Sequence, residues 1–410
     1  MGYDGIVIGG GAAGRFAAIT AAKRGQKVLL LERNDRLGRK LLITGKGRCN
    51  VTNNCTGQEV LQNVPRNGRF LYSAMTAFPP EKTMAFFEER GCRLKTERGN
   101  RVFPVTDKSQ SVLDCLQSEL HRQKITVKTA RVRDILTQDG HVTGVRTQNE
   151  EIAANWVILA TGGASYPATG STGDGYKLAQ QAGHTLVEPV PSLVSLVSRD
   201  PDCKKMMGLA LKNVTLTLFE DGKAIFDEQG EMLFTHFGIS GPLTLSASSH
   251  LGDMKKHKYH AEIDLKPALS EEQLYDRITR DFALLANHAA QGALVKLLPS
   301  SMQPVMVARW GIDPATKANQ ITREQKRELV QLMKHWRVSI DARGDLAHAV
   351  ITSGGVSVRE VDPKTMQSKK ALGLYFAGEV LDVDAYTGGY NLQIAWATAQ
   401  AAVRAIGNDT

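Results

Sequence analysis

The sequence predicts an α/β fold: a Rossmann-like parallel sheet carried in two pieces of chain, with a β-rich and helical insertion between them. Three observations predict it. A strand–turn–helix–strand pattern opens the chain, a fully apolar strand ends in Thr161-Gly162-Gly163, and a strand–Gly–acid–helix pattern closes it. The 410 residues exceed one ordinary domain, and 42% hydrophobic with 23% charged residues excludes a disordered chain. No run approaches ~18 apolar residues, so no membrane span is expected. Five scattered cysteines without a CxxC pair fit reduced thiols, neither a zinc site nor a disulfide framework. The Gly-rich turn follows the first residues too closely for a signal peptide, and a cytoplasmic location is expected.

Residues 4–8 form a short apolar strand, 9–11 a turn, 12–24 a helix stopped by Gly25, and 27–31 a second buried strand closed by Glu32. Residues 111–122 suit a helix and 125–129 a strand. Residues 132–136 and 142–147 pair as a hairpin, because Asp139-Gly140 suits a tight primed turn. Residues 156–160 (WVILA) are a fully buried strand. From Pro189 the texture changes: 214–219, 223–226, 232–234 and 259–265 alternate as antiparallel strands, with Asp221-Gly222 as a turn. Residues 270–298 and 322–336 predict helices, the first capped by Ser270 with Glu272 or Gln273. Residues 374–377 return to buried strand, Gly378-Glu379 turns, and 391–406 form a helix with Trp396, Ala399, Val403 and Ile406 on one face. The expected division is a first nucleotide-binding part at 1–188, a β-rich domain at 189–266, a helical subdomain at 267–335, and a return at 336–410.

Gly9-Gly10-Gly11-Ala12-Ala13-Gly14 satisfies G-x-G-x-x-G between strand and helix, and Glu32 ends the next strand. Gly9 permits the tight turn, Gly11 lets a pyrophosphate approach the backbone, and Gly14 lets the helix pack on the sheet. The helix N-terminus attracts phosphates, and the Glu32 carboxylate accepts from ribose hydroxyls. Together with Ala160-Thr161-Gly162 and Tyr375-Phe376-Ala377-Gly378-Glu379, this arrangement resembles the FAD-binding glutathione-reductase superfamily. That resemblance implies FAD, with the helix after Gly388-Gly389, opened by Asn391, aimed at the pyrimidine end of the flavin.

Further motifs narrow the resemblance. Leu37-Gly38-Arg39-Lys40, Thr44-Gly45-Lys46-Gly47-Arg48-Cys49-Asn50-Val51-Thr52-Asn53, Arg101-Val102-Phe103-Pro104 and Thr169-Gly170-Ser171-Thr172-Gly173-Asp174-Gly175-Tyr176 match in order. So do Leu233-Phe234-Thr235-His236-Phe237-Gly238-Ile239-Ser240-Gly241-Pro242 and Thr387-Gly388-Gly389-Tyr390-Asn391. The chain is thereby similar to the flavoproteins called HI0933-like or BaiN-type. One departure is Asn100, where that family often has Gly. The resemblance implies an FAD domain, a β-barrel-like domain and a small helical domain. It also implies chemistry like that of aminoacetone oxidases or of reductases of unsaturated 3-oxo bile-acid intermediates. Candidate cofactor contacts are Gly9, Gly11, Ala13, Gly14, Glu32, Arg33, Lys40, Thr44, Gly45, Arg48, Asn50, Val132, Thr161, Gly162, Gly378, Glu379, Gly388, Gly389, Tyr390 and Asn391.

Arg33, Arg36, Arg39, Lys40, Lys46 and Arg48 crowd the segment after the ribose acid. Two or three of them, Lys40 and Arg48 foremost, are expected to face the pyrophosphate or a substrate anion, the rest being solvated. His236 is a candidate general acid, weighed against a hydrogen-bonded structural role; Tyr386 and Tyr390 are further candidate donors. Cys49 lacks a resolving partner and reads as inert packing. No metal site is expected. There is no second G-x-G-x-x-G for a nicotinamide domain, so NAD(P)H enters as a candidate transient donor. The expected activity is hydride transfer between flavin N5 and a small organic substrate, with NAD(P)H-dependent reduction of a conjugated C=C leading. Amine oxidation by O₂ is the runner-up. Action on tRNA is the alternative from another class, raised by the net charge of +9. Because the densest basic run falls in the nucleotide-binding segment, nucleic acid is disfavoured as a partner. Oligomeric state is left open.

Overall fold

Apolar residues on both faces force a strand into the middle of a layered fold, and the wholly buried runs here obey that rule. A computed structural model describes residues 2–407. In it Gly5–Ile8, Val28–Glu32 and Trp156–Leu159 are buried along their whole length. They join Leu374–Phe376 and Thr126–Thr129 in a five-stranded parallel sheet. Across it the order runs Leu374–Phe376, Trp156–Leu159, Gly5–Ile8, Val28–Glu32, Thr126–Thr129. Both expected ends of the chain thus meet in one sheet.

The helices Ala12–Lys23 and Tyr390–Ala405 pack together, Phe16 lying 5.5 Å from fully buried Trp396. Burying such a ring contributes about 3 kcal/mol or more. Its indole N–H donates to the Val51 carbonyl at 3.0 Å. Buried Gln393 accepts from the Thr52 and Thr83 hydroxyls, each at 2.7 Å, and donates to the Phe78 carbonyl. A polar side chain in the core is therefore satisfied and fixes the register of the last helix.

The chain divides into two compact units, 1–192 with 346–410, and 193–345, each with its own apolar core. In the first, Val132–Gln138 and His141–Thr147 form the hairpin, with Asp139 at φ 51° and Gly140 at φ 77°. Both turn residues need positive φ, which Asp-Gly supplies. Asn100 stands at φ 56°. That left-handed backbone suits Gly best and Asn nearly as well, which accounts for the one motif departure. Thr52–Asn53, Arg101–Pro104 and Leu94–Glu97 form a small antiparallel sheet that sequence patterning did not announce. Leu186–Ser192 pairs with Ile351–Val356.

The second unit is a seven-stranded sheet whose edge strands, Trp336–Ile340 and Ala342–Arg343, are joined through Asp341 alone. One edge must therefore curl round to the other, giving the barrel-like form. Ala210–Glu220 and Lys223–Thr235 pair around Asp221-Gly222; the separately expected strands 223–226 and 232–234 are one strand. The long helix expected at 270–298 stops at Leu284, and only Ala290–Ala293 resumes it. The Ala286 and His288 carbonyls accept instead from Asn319 and Ala318 N–H groups, so the backbone leaves the helix for a cross-chain contact. The expected helix at 322–336 ends at Lys334, and Trp336 pairs with Ile263 as strand. The helices and sheet strands of this unit share one core.

Lysine and arginine nearly balance aspartate and glutamate within 193–345, so almost all of the +9 excess belongs to the first unit. Among the described residues no helix is long and apolar enough to cross a membrane.

Candidate functional site

The Gly9–Gly14 turn is shaped by contacts that a side chain would destroy. A Cβ on Gly14 would lie 1.8 Å from the Gly9 carbonyl oxygen, and one on Gly9, at φ +104°, 2.5 Å from the Ala160 oxygen. At Gly11 nothing lies within 4 Å, so this glycine faces open space. That space is a cleft of about 1350 Å³, counting its solvent mouth. Gly9, Gly11, Ala13, Glu32, Arg33, Lys40, Thr44, Val132, Thr161, Gly162, Gly378, Glu379 and Asn391 all line it. The sheet's C-terminal edge, where such folds bind ligands, forms its floor.

Glu32 is held by three N–H groups. Its Oε2 accepts from Gly10 N at 2.7 Å, and its Oε1 accepts from the Asn34 backbone and amide at 2.8 and 2.9 Å. A carboxylate offers about four acceptor sites, so one is left for a ribose hydroxyl. The Lys40 ammonium donates to Glu379 at 2.7 and 2.9 Å and to Ser165 Oγ at 2.6 Å. Glu379 also accepts from Thr352 N, and Thr352 Oγ1 accepts from Ala164 and Ser165 N–H groups. The network ties the mid-chain Thr161-Gly162-Gly163 turn to the C-terminal strand end. Arg33 is paired with Asp174 at 2.9 Å, as is Arg131 at 2.8 Å.

Of the two basic residues expected foremost, Lys40 lines the cleft with its ammonium paired to Glu379. Arg48 does not line the cleft: Glu97 and Asp107 hold its guanidinium over the Phe103 ring, and those hydrogen bonds push its proton affinity up. Gly14 and Gly45 sit within the framework, Gly45 against the Asn50 backbone. Asn50 Oδ1 is buried without a partner, beside Gly389. Gly388 lies under the Tyr390 ring, and Asn53 donates to its carbonyl at 3.1 Å. The Asn391 amide clips the preceding loop through both the N–H and the carbonyl of Ala385. Tyr386 is half-buried on that loop. His236 belongs to the second unit and is exposed at the two-residue turn between Lys223–Thr235 and Gly238–Ser240. Cys49 is buried, and burial pushes its thiol up to about 12, so it is no nucleophile at neutral pH. Among the described residues no group of His, Cys, Asp and Glu gathers to hold a metal.

Sequence reasoning missed Asn34, Arg131, Ser165 and Thr352. The run Thr352-Ser353-Gly354-Gly355 was the available signal, since Gly354 and Gly355 both take positive φ against neighbouring backbone. It also missed a buried carboxylate pair on the loop before the last helix. Asp384 accepts from the Ser192 and Ser353 hydroxyls, each at 2.9 Å, and Asp382 from the Asn67 amide at 3.0 Å. Burial raises both carboxyls above the ordinary range, with nearby Arg66 opposing it. A raised folded-state value favours the fold below the unfolded carboxyl's range, and that contribution is lost as pH rises through the raised value. Asp384→Asn should therefore gain stability relative to the unsubstituted chain as pH rises from the ordinary carboxyl range toward neutrality. Urea unfolding at both ends of that range checks it; an unchanging difference excludes it.

The residues present fit a dinucleotide: a Gly-lined turn open at Gly11, a helix N-terminus, and an acid with acceptor capacity to spare. Fold and cleft define an FAD-dependent oxidoreductase of the Rossmann type. The chain belongs to the HI0933-like family, matching the HI0933-like protein Rossmann domain over residues 3–405. It is 33% identical to the 3-dehydro-bile acid delta(4,6)-reductase of Clostridium scindens, over 97% of this chain and 98% of that protein. It is 30% identical to the ribosomal RNA dihydrouridine synthase of Haemophilus influenzae, over 98% of each. The 3-ketosteroid delta1-dehydrogenase of Sterolibacterium denitrificans shares the fold, at TM-score 0.50 and 14% identity over 98% of each chain.

Proposed function

We propose that the chain saturates a C=C bond conjugated to a carbonyl, using electrons from NAD(P)H. One observation carries this: two relatives that match along the whole chain bear names for such reductions, one in a 3-oxo steroid acid and one in a uracil ring. FAD supplies the hydride acceptor and donor. The chain's own residues do the rest. The Gly9–Gly14 turn and helix N-terminus hold the diphosphate, and Glu32 a ribose. The Lys40–Glu379–Ser165 network fixes the adjoining turns. The N-terminus of Tyr390–Ala405 would offer its positive end to negative charge on the flavin. Hydride delivery to the β-carbon must be matched by a proton at the α-carbon, for which Tyr386 and Tyr390, in the unit that carries the cleft, are the candidate donors.

A 3-oxo-4-ene bile acid is the first substrate to test. A uridine in ribosomal RNA is the second reading, favoured by the concentration of positive charge in the unit that carries the cleft. Under anaerobic mixing, NADH or NADPH should bleach the flavin absorbance, and the acceptor should restore it. If neither nucleotide bleaches it, the reductase reading fails. Hydrogen peroxide release with aminoacetone-like amines in air would establish the oxidase direction instead.

A further inference from the structure

Arg15 follows Gly14 on the first helix and is fully buried. Its Nε, Nη1 and Nη2 have no hydrogen-bond partner. A guanidinium carries five N–H donors, and leaving them unmet in a protein interior is costly. Burial pulls it down only to about 10, so it is charged at neutral pH. Its Nη2 occupies the place where Gly38 would carry a side chain: a Cβ there would lie 2.1 Å away. Gly38 itself lines the cleft, so one residue's backbone separates the cation from that wall.

No neighbouring group hydrogen-bonds it: the Glu32 carboxylate favours its charge from a distance, spending its own acceptors on Gly10 and Asn34, and the Cys49 thiol stays protonated. Arg33 and Lys40 have carboxylate partners within hydrogen-bond reach; Arg15 has none. The positive end of the Ala12–Lys23 helix adds to the same sign of potential.

We propose that Arg15 is the buried counter-charge of the FAD diphosphate, acting across the Gly38 backbone as a positioning residue. This rests on the reading of the cleft as the FAD site. The protein folds around a buried cation that no carboxylate hydrogen-bonds, and the two diphosphate charges add the counter-charge it lacks at close range. Arg15 therefore acts with opposite signs, destabilising the cofactor-free protein and strengthening cofactor binding. A merely structural arginine would support both.

The test is a thermal melt of the full chain, stripped of FAD and reloaded, together with a fluorescence titration with FAD. Arg15→Met keeps the length and removes the charge. Its stripped form should melt above the stripped unsubstituted protein, while its Kd for FAD rises on the order of tenfold. Arg15→Lys should keep the Kd within about threefold. A stripped Arg15→Met protein that melts lower or does not fold overturns the proposal, as does unchanged FAD affinity. If the unsubstituted protein takes up no FAD, the reading of the cleft itself is overturned, a separate outcome.

Discussion

Gly11→Val should leave the protein folded and abolish FAD retention. The backbone at Gly11 is extended, at φ −75° and ψ −161°, which valine adopts freely, and nothing lies within 4 Å of its would-be Cβ. The branched side chain would stand in the cleft where a diphosphate must approach the backbone. Loss of affinity of about a hundredfold or more is expected, with the melting temperature of the cofactor-free protein unchanged. Gly14→Ala makes the contrast. Its added methyl meets the Gly9 oxygen at 1.8 Å, so the turn must open, at about 3 kcal/mol. Thermal melts with and without FAD separate the two. A Gly11→Val protein that purifies yellow with bound FAD would remove the cleft from consideration as the cofactor site.

Lys40→Met should destabilise the fold by about 2–3 kcal/mol, because it strands the Glu379 carboxylate. The pair is largely shielded, with side-chain exposures of 22% and 16%. Glu379 keeps its contacts with Thr352 and Ser165, but these neutral donors do not balance its charge. Lys40→Met combined with Glu379→Gln should recover more than half of the loss, since both charges leave together. Urea unfolding of the four proteins of this cycle measures the coupling. Additive single effects below about 0.5 kcal/mol each would show that the pair is solvated and contributes little.

Much of the fold was legible because its signals are local. Buried apolar runs, Asp-Gly turns and the Ser270 cap each follow from a few neighbouring residues. What stayed hidden depends on distant partners. The helix break after Leu284 is made by carbonyls that find residues 318 and 319, and the 336 strand by pairing with 263. The same holds in the cleft. Gly9, Gly11 and Glu32 were readable from spacing, whereas the fates of Lys40 and Arg48 were set by Glu379, Glu97 and Asp107, far along the chain. A run of positive charge says how many cations are present. It does not say which are already answered, and Arg15, outside that run, is fully buried with no hydrogen-bond partner.

The two-piece construction of the first unit bears on how the protein is made. Synthesis runs from the N-terminus, and domains generally fold as their residues emerge. Residues 193–345 are contiguous and have a core of their own, so that unit has all its parts while the first still lacks strand Leu374–Phe376 and helix Tyr390–Ala405. Until those last segments leave the ribosome, Trp156–Leu159 is an unpaired sheet edge and the Phe16 face of the first helix lacks its Trp396 neighbour. The nascent chain carries an open sheet edge until those segments emerge. Gly378, Glu379 and Asn391 line the cleft and follow the inserted unit in the chain, so the cleft is completed only after that unit has been made.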